Sequence, residues 1–166
     1  MNNKEQLQKQ AYKLQEELDK LKQQIEECDK EETDRVQRGK PYFYLSSHGY
    51  ITETLDKYQA TDDIRYELGN YFKTKDEAIE YRDNLETKME LKRLAKRLNK
   101  GKLIDWQDDN QQKYYLFFNH EREEISMERN QIYQYPTIYC LSSNFRDIAI
   151  SEIGKQALID YLKSEV

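Results

Sequence analysis

Along the first forty positions, Leu7, Leu14, Leu21 and Cys28 recur every seven residues, and Ala11, Leu18 and Ile25 form a second series offset from the first by three and four. A seven-residue apolar repeat keeps one stripe facing a partner as helices supercoil, so the pattern predicts a coiled-coil helix over residues 1–38. The remaining surface is Gln, Glu and Lys almost throughout, and the stripe is narrower than the face a helix buries on a globular core. We therefore expect homodimerisation through Leu7, Ala11, Leu14, Leu18, Leu21 and Ile25. A solvated helix folded back on its own domain is the alternative. Lys4 and Glu32, at outer positions of the repeat, weaken both ends.

The pattern changes after Gly39-Lys40-Pro41. Tyr42 to Leu45 reads as a strand, Ser46-Ser47-His48-Gly49 as a turn and Tyr50 to Thr54 as the returning strand. A less regular stretch opens at Asp62-Asp63, and Gly69 to Phe72 suggests a third short strand. Thr74 followed by Glu77 matches a capping box, which predicts a helix to about Asn99, stopped by Lys100-Gly101. Its apolar positions include Ala78, Tyr81, Leu85, Leu91, Leu94 and Ala95, spaced mostly by three and four.

The last third repeats that plan loosely. Strands are expected at Lys113–Phe118, Glu124–Glu128 and Pro136–Leu141, then two helices separated by Gly154. The expected fold class is α+β, an antiparallel sheet with helices on one face over residues 41–166, behind the coiled coil. Residues 41–100 and 103–166 read as a possible internal duplication.

Composition narrows the class of protein. A mean hydropathy of −1.12 and no long apolar run exclude an integral membrane protein. The opening Met1-Asn2-Asn3-Lys4-Glu5-Gln6 has no hydrophobic stretch, which predicts no signal peptide and a cytoplasmic location. Two cysteines, Cys28 and Cys140, cannot make a disulfide framework and are expected to be reduced.

Catalytic constellations are missing from the pattern. His48 and His120 each sit at an expected hairpin tip and read as solvated turn residues. With two Cys and two His, none paired at ligand spacing, a structural zinc site has almost no donors. Gly39-Lys40, Gly101-Lys102 and Gly154-Lys155 lack the upstream Gly and following Ser or Thr of a phosphate-binding loop. Asp105 to Asp109 resembles a calcium loop only at its start, since Leu116 stands where the bidentate Glu belongs. Glu86-Thr87-Lys88 has nuclease-like spacing but lies in mid-helix. We expect no enzyme activity, cofactor or metal.

Charge is distributed unevenly. Residues 71–102 carry a net +4 and residues 103–166 a net −5, in a chain of net −5. The basic end of the long helix, with Lys92, Arg93, Lys96, Arg97, Lys100 and Lys102, would grip phosphates or simply complement the helix terminus. The acidic groups Asp105, Asp108, Asp109, Glu121, Glu123, Glu124 and Glu128 fall on loops and hairpins. Fourteen tyrosines join them, and Tyr carries apolar area with a polar tip, which suits recognition surfaces. Tyr58, Tyr66, Tyr133 and Tyr135 lie in irregular segments. The acidic set with Tyr133 and Tyr135 is the expected partner-binding surface, against the ordinary alternative of acidic loops that keep a protein soluble.

Tyr42-Phe43-Tyr44, then Gly69-Asn70-Tyr71-Phe72-Lys73-Thr74-Lys75-Asp76-Glu77-Ala78 and Leu91 to Ala95, with Trp106, Lys113-Tyr114-Tyr115 and Ile138 to Cys140, resemble a group of small proteins of phages and prophages of Gram-positive bacteria. The resemblance covers most of residues 41–160 and brings no catalytic residues. It implies action inside the bacterial host cell on a host defence protein, a nuclease or its ribonucleoprotein complex. By analogy of class, an anti-CRISPR inhibitor of a Cas9-type nuclease is the expectation. A nucleic-acid-binding accessory protein using the basic helix end is the alternative.

Overall fold

The structure is a computed structural model that describes residues 3–28 and 35–164, with side-chain surroundings in the first helix described for residues 10–22. Lys4, Leu7, Ile25, Cys28 and Glu32, named above, have side chains outside that range. The elements run α1 (Asn3–Cys28), β1 (Pro41–Leu45), β2 (Ile51–Leu55), α2 (Ala60–Glu67), α3 (Lys75–Leu98), β3 (Tyr114–Asn119), β4 (Glu124–Arg129), β5 (Tyr139–Cys140), α4 (Phe145–Glu152) and α5 (Lys155–Ser164). The fold is α+β. No helix among the described residues is long and apolar enough to cross a membrane.

The chain divides into two compact units, residues 1–43 with 53–73, and residues 44–52 with 74–166.

In the first unit α1 is helical as the heptads predict, and its stripe is uncovered: Leu14 is 65%, Leu18 46% and Leu21 56% exposed. The helical pattern does not extend to residue 38. Arg35 is instead held by carboxylates: Nε and Nη2 donate to Asp56 at 2.7 and 3.0 Å, and Nη1 donates to Asp63 at 2.8 Å. Asp56 also accepts from the Tyr58 amide and the Tyr71 hydroxyl, each at 2.8 Å. Beside it the buried Tyr42 hydroxyl donates to Asp62 and accepts from Arg65, and its ring stacks on Tyr71 at 4.0 Å. Burial alone would raise the Asp56 and Asp62 carboxyls, but their hydrogen bonds outweigh it and hold both below the usual carboxylate range.

Two expectations in this unit are corrected. The stretch around Asp62-Asp63 read as irregular belongs to α2, whose start is closed by the Gln59 amide donating to Asp62. The third strand reduces to one antiparallel bridge between Phe43 and Phe72. Gly69, at φ +69°, turns the chain out of α2, and Thr74 already caps α3, so there is room for one bridged pair.

The second unit is built on α3. Its start is the capping box read from the sequence: the Glu77 amide donates to Thr74 Oγ1, and the Thr74 amide donates to Glu77 Oε2. The sheet has the order β4-β3-β5, both pairings antiparallel, with Leu116 opposite Met127 and Phe118 opposite Ile125. Leu91, Leu94 and Ala95 of α3 bury with Leu116, Ile125, Cys140, Phe145, Ala149, Leu158 and Tyr161. Each fully buried large side chain of this kind stabilises by about 1.5–3 kcal/mol. The strand expected over Pro136–Leu141 is reduced to Tyr139–Cys140. Pro136 has no amide hydrogen and the Thr137 amide turns back to Gln134, so the ladder begins two residues later.

Candidate functional site

The loop between α3 and β3 carries three of the acidic residues singled out above, and side chains fold it onto itself. Asp105 accepts from the Gln107 amide and Asp108 from the Asn110 amide, both at 2.9 Å, which closes two tight Asx turns. Gln111 clasps the loop from inside, accepting from the Asp105 amide and donating to the Leu103 carbonyl.

Lys113 joins this loop to the one after β4. It is fully buried, and its ammonium is met by neutral oxygens. Nζ donates to the carbonyls of Asp108 (2.7 Å) and Gln111 (3.0 Å) and to Gln131 Oε1 (3.1 Å). All three ammonium hydrogens are thereby used, which makes burial of the charge tolerable. Gln131 completes the tie by donating to the Asp109 carbonyl at 2.9 Å.

Aromatic rings continue the joint. Trp106 packs edge-on against Tyr139 at 4.8 Å and Tyr133 at 5.4 Å, and Lys113 lies 5.5 Å from its centroid. The Tyr139 hydroxyl donates to the Ile132 carbonyl and accepts from the Gln134 amide, fixing the second loop. That loop presents Ile132, Tyr133 and Tyr135 outward, Tyr135 at 85% exposure. On the sheet face turned from the core, Tyr115 leans on Tyr139 and Phe117, and its hydroxyl donates to Glu128. Burial first, and then the Glu128 carboxylate, push the Tyr115 phenol up.

The expected acidic surface therefore separates into two groups. Asp105, Asp108, Asp109 and Glu128 share one end of β3 with Tyr133 and Tyr135, and form with them a two-loop platform. Glu121, Glu123 and Glu124 lie at the other end, on the β3–β4 turn shaped by Asn119, which accepts from the Glu121 and Arg122 amides. The five residue-to-residue steps of β3 put roughly 17 Å between the two ends. Every acidic residue of both groups is exposed.

Other candidates resolve simply. Lys92, Arg93, Lys96, Arg97, Lys100 and Lys102 are all exposed, but Arg97 pairs with Glu152, and Arg93 shares a cleft with Arg82, Glu86 and Glu90. Tyr58 and Tyr66 stack around the Arg35 guanidinium, with centroids 4.4 and 5.6 Å from its central carbon. Cys140 is buried, and burial pushes its thiol up, the setting of an inert cysteine. Glu86-Thr87-Lys88 sits inside α3. Among the described residues no group of three or more His, Cys, Asp or Glu could hold a metal ion.

Lys113, Trp106 and Gln131 organise the platform and were not among the site residues expected from the sequence. Their only signals were one lysine before an apolar strand and the chain's one tryptophan. No protein-family model, curated protein or solved structure matches the chain.

Proposed function

We propose that this is a non-catalytic binding protein that self-associates through α1 and captures a basic protein surface on the platform of Asp105, Asp108, Asp109, Glu128, Tyr133 and Tyr135. One observation carries the reading: a buried lysine and a tryptophan hold two loops together so that carboxylates and exposed aromatics face solvent on one fixed support. Surfaces of this kind steer a cationic partner by charge and hold it by aromatic contact, which arginine answers best because its planar cation stacks on rings. A free acidic loop that only aids solubility needs no such internal tie.

The phage resemblance supplies the partner. A Cas9-type nuclease presents a positively charged channel for nucleic acid, and a platform seated there would exclude the target. The test is target cleavage by the guide-loaded nuclease with increasing amounts of this protein. Wild type should inhibit in proportion to its binding; Asp108→Lys with Asp109→Lys should bind at least tenfold more weakly and inhibit correspondingly less. Full inhibition by that variant would overturn the platform reading.

The second reading keeps the basic end of α3 as a nucleic-acid grip, supported by the exposure of Lys92, Lys96, Lys100 and Lys102. Under it, Lys92→Gln with Lys96→Gln weakens binding of a DNA or RNA oligonucleotide and flattens its salt dependence.

A further inference from the structure

We infer that the second copy on the α1 stripe lies parallel and in register, so that the platforms are displayed as a pair. The inference rests on the self-association just proposed and goes on to its geometry. Leu14, Leu18 and Leu21 are exposed large apolar residues in heptad register on a helix of 26 residues, about 39 Å long. Nothing among the described residues covers them. Both copies carry the same stripe, so another α1 meets it with matching spacing and identical length.

Charges beside the stripe choose the direction. Taking Ala11 and Leu18 as a positions and Leu14 and Leu21 as d positions, Glu17 falls at g and Lys22 at the following e; both are exposed. In a parallel, in-register pair, Glu17 of each copy faces Lys22 of the other, which gives two opposite-charge contacts across the seam. In the antiparallel register that uses every seam residue, Leu14 lies over Leu18, Ala11 over Leu21, and Glu17 meets Glu17. That arrangement gains no opposite-charge contact and adds one repulsion.

Direction matters to binding. In a parallel pair both chains leave the stalk at the same end. The two platforms can then engage one partner together, and the second contact forms at an effective concentration set by the tether. An antiparallel pair would send the two chains from opposite ends, about a helix length apart.

The test uses the full chain with Cys28→Ser and one introduced cysteine. After mild oxidation, Leu21→Cys alone should give a covalent dimer, and a mixture of Ala11→Cys with Leu21→Cys should give no mixed product beyond background. The reverse outcome, mixed product only, would establish the antiparallel form and overturn the inference. Charge variants provide a check without cysteines. Glu17→Lys should weaken the dimer roughly three- to tenfold, and the double exchange Glu17→Lys with Lys22→Glu should restore it. In the antiparallel form neither variant would shift the affinity in this way, because position 17 faces its own copy and one like-charge contact merely replaces another. A wild-type chain that sediments as a monomer at micromolar concentration would overturn self-association itself, a result distinct from either cross-linking pattern.

Discussion

Asp56 has no solvent contact and accepts from Arg35, Tyr58 and Tyr71 at once, and Asp62 is nearly as enclosed. Both carboxyls are held below their ordinary value, so the folded state favours the charged form more than the unfolded chain does. Their stabilisation is complete above the unfolded carboxyl value of about 3.9 and is lost as pH falls through the lowered folded values. The urea midpoint should stay level from pH 7 to about 5 and drop below about 4. Asp56→Asn removes the charge that Arg35 is held against and should cost about 3 kcal/mol, with the Asp56 share of the acid sensitivity lost as well. Lys113→Met should cost about 2 kcal/mol by leaving three acceptors without their donor. It should also weaken partner binding, although Lys113 touches no solvent. None of these three residues stands out in the sequence. A buried charge is defined by the donors or acceptors around it, and the partners come from positions as far apart as 35 and 56, or 108 and 131.

At the scale of elements, legibility followed locality. The α3 start could be read from Thr74 and Glu77 because a capping box lies within one turn, and both of its hydrogen bonds are present. Thr74→Ala should therefore lower stability by about 0.5–2 kcal/mol in a denaturant titration. The β3–β4 pair and the break at Gly154 were legible for the same reason: alternation, a turn and a glycine are local signals. β5 and the Phe43–Phe72 bridge were over-read, because an aromatic, β-branched run looks like a strand whether or not the amides beside it are free to pair. α2 was missed because its eight residues carry more charge than apolar pattern. Within the proposed dimer, Leu14→Lys with Leu21→Lys puts charge into the α1 stripe. Sedimentation should then report a monomer while residues 35–164 keep their fold.

Across the whole molecule, charge is the property that turns architecture into a proposed activity. The net −5 of residues 103–166 could be read from composition; its division into a supported platform and a separate hairpin tip could not, since that depends on which end of β3 each loop joins. The candidate site was thus half legible: the acidic residues and Tyr133 and Tyr135 were, the buried lysine and tryptophan beneath them were not. The separation yields a comparison in which composition stays constant. Asp108→Lys with Asp109→Lys changes the platform, and Glu123→Lys with Glu124→Lys makes the same change in net charge at the tip. Titrating wild type and both variants against the guide-loaded nuclease at low and at physiological salt is the most direct measurement. The account predicts that the platform variant loses at least tenfold in affinity and most of the salt dependence, while the tip variant stays within about threefold of wild type. Equal losses in the two variants would mean that net charge alone drives association, and would contradict a platform built to hold a partner.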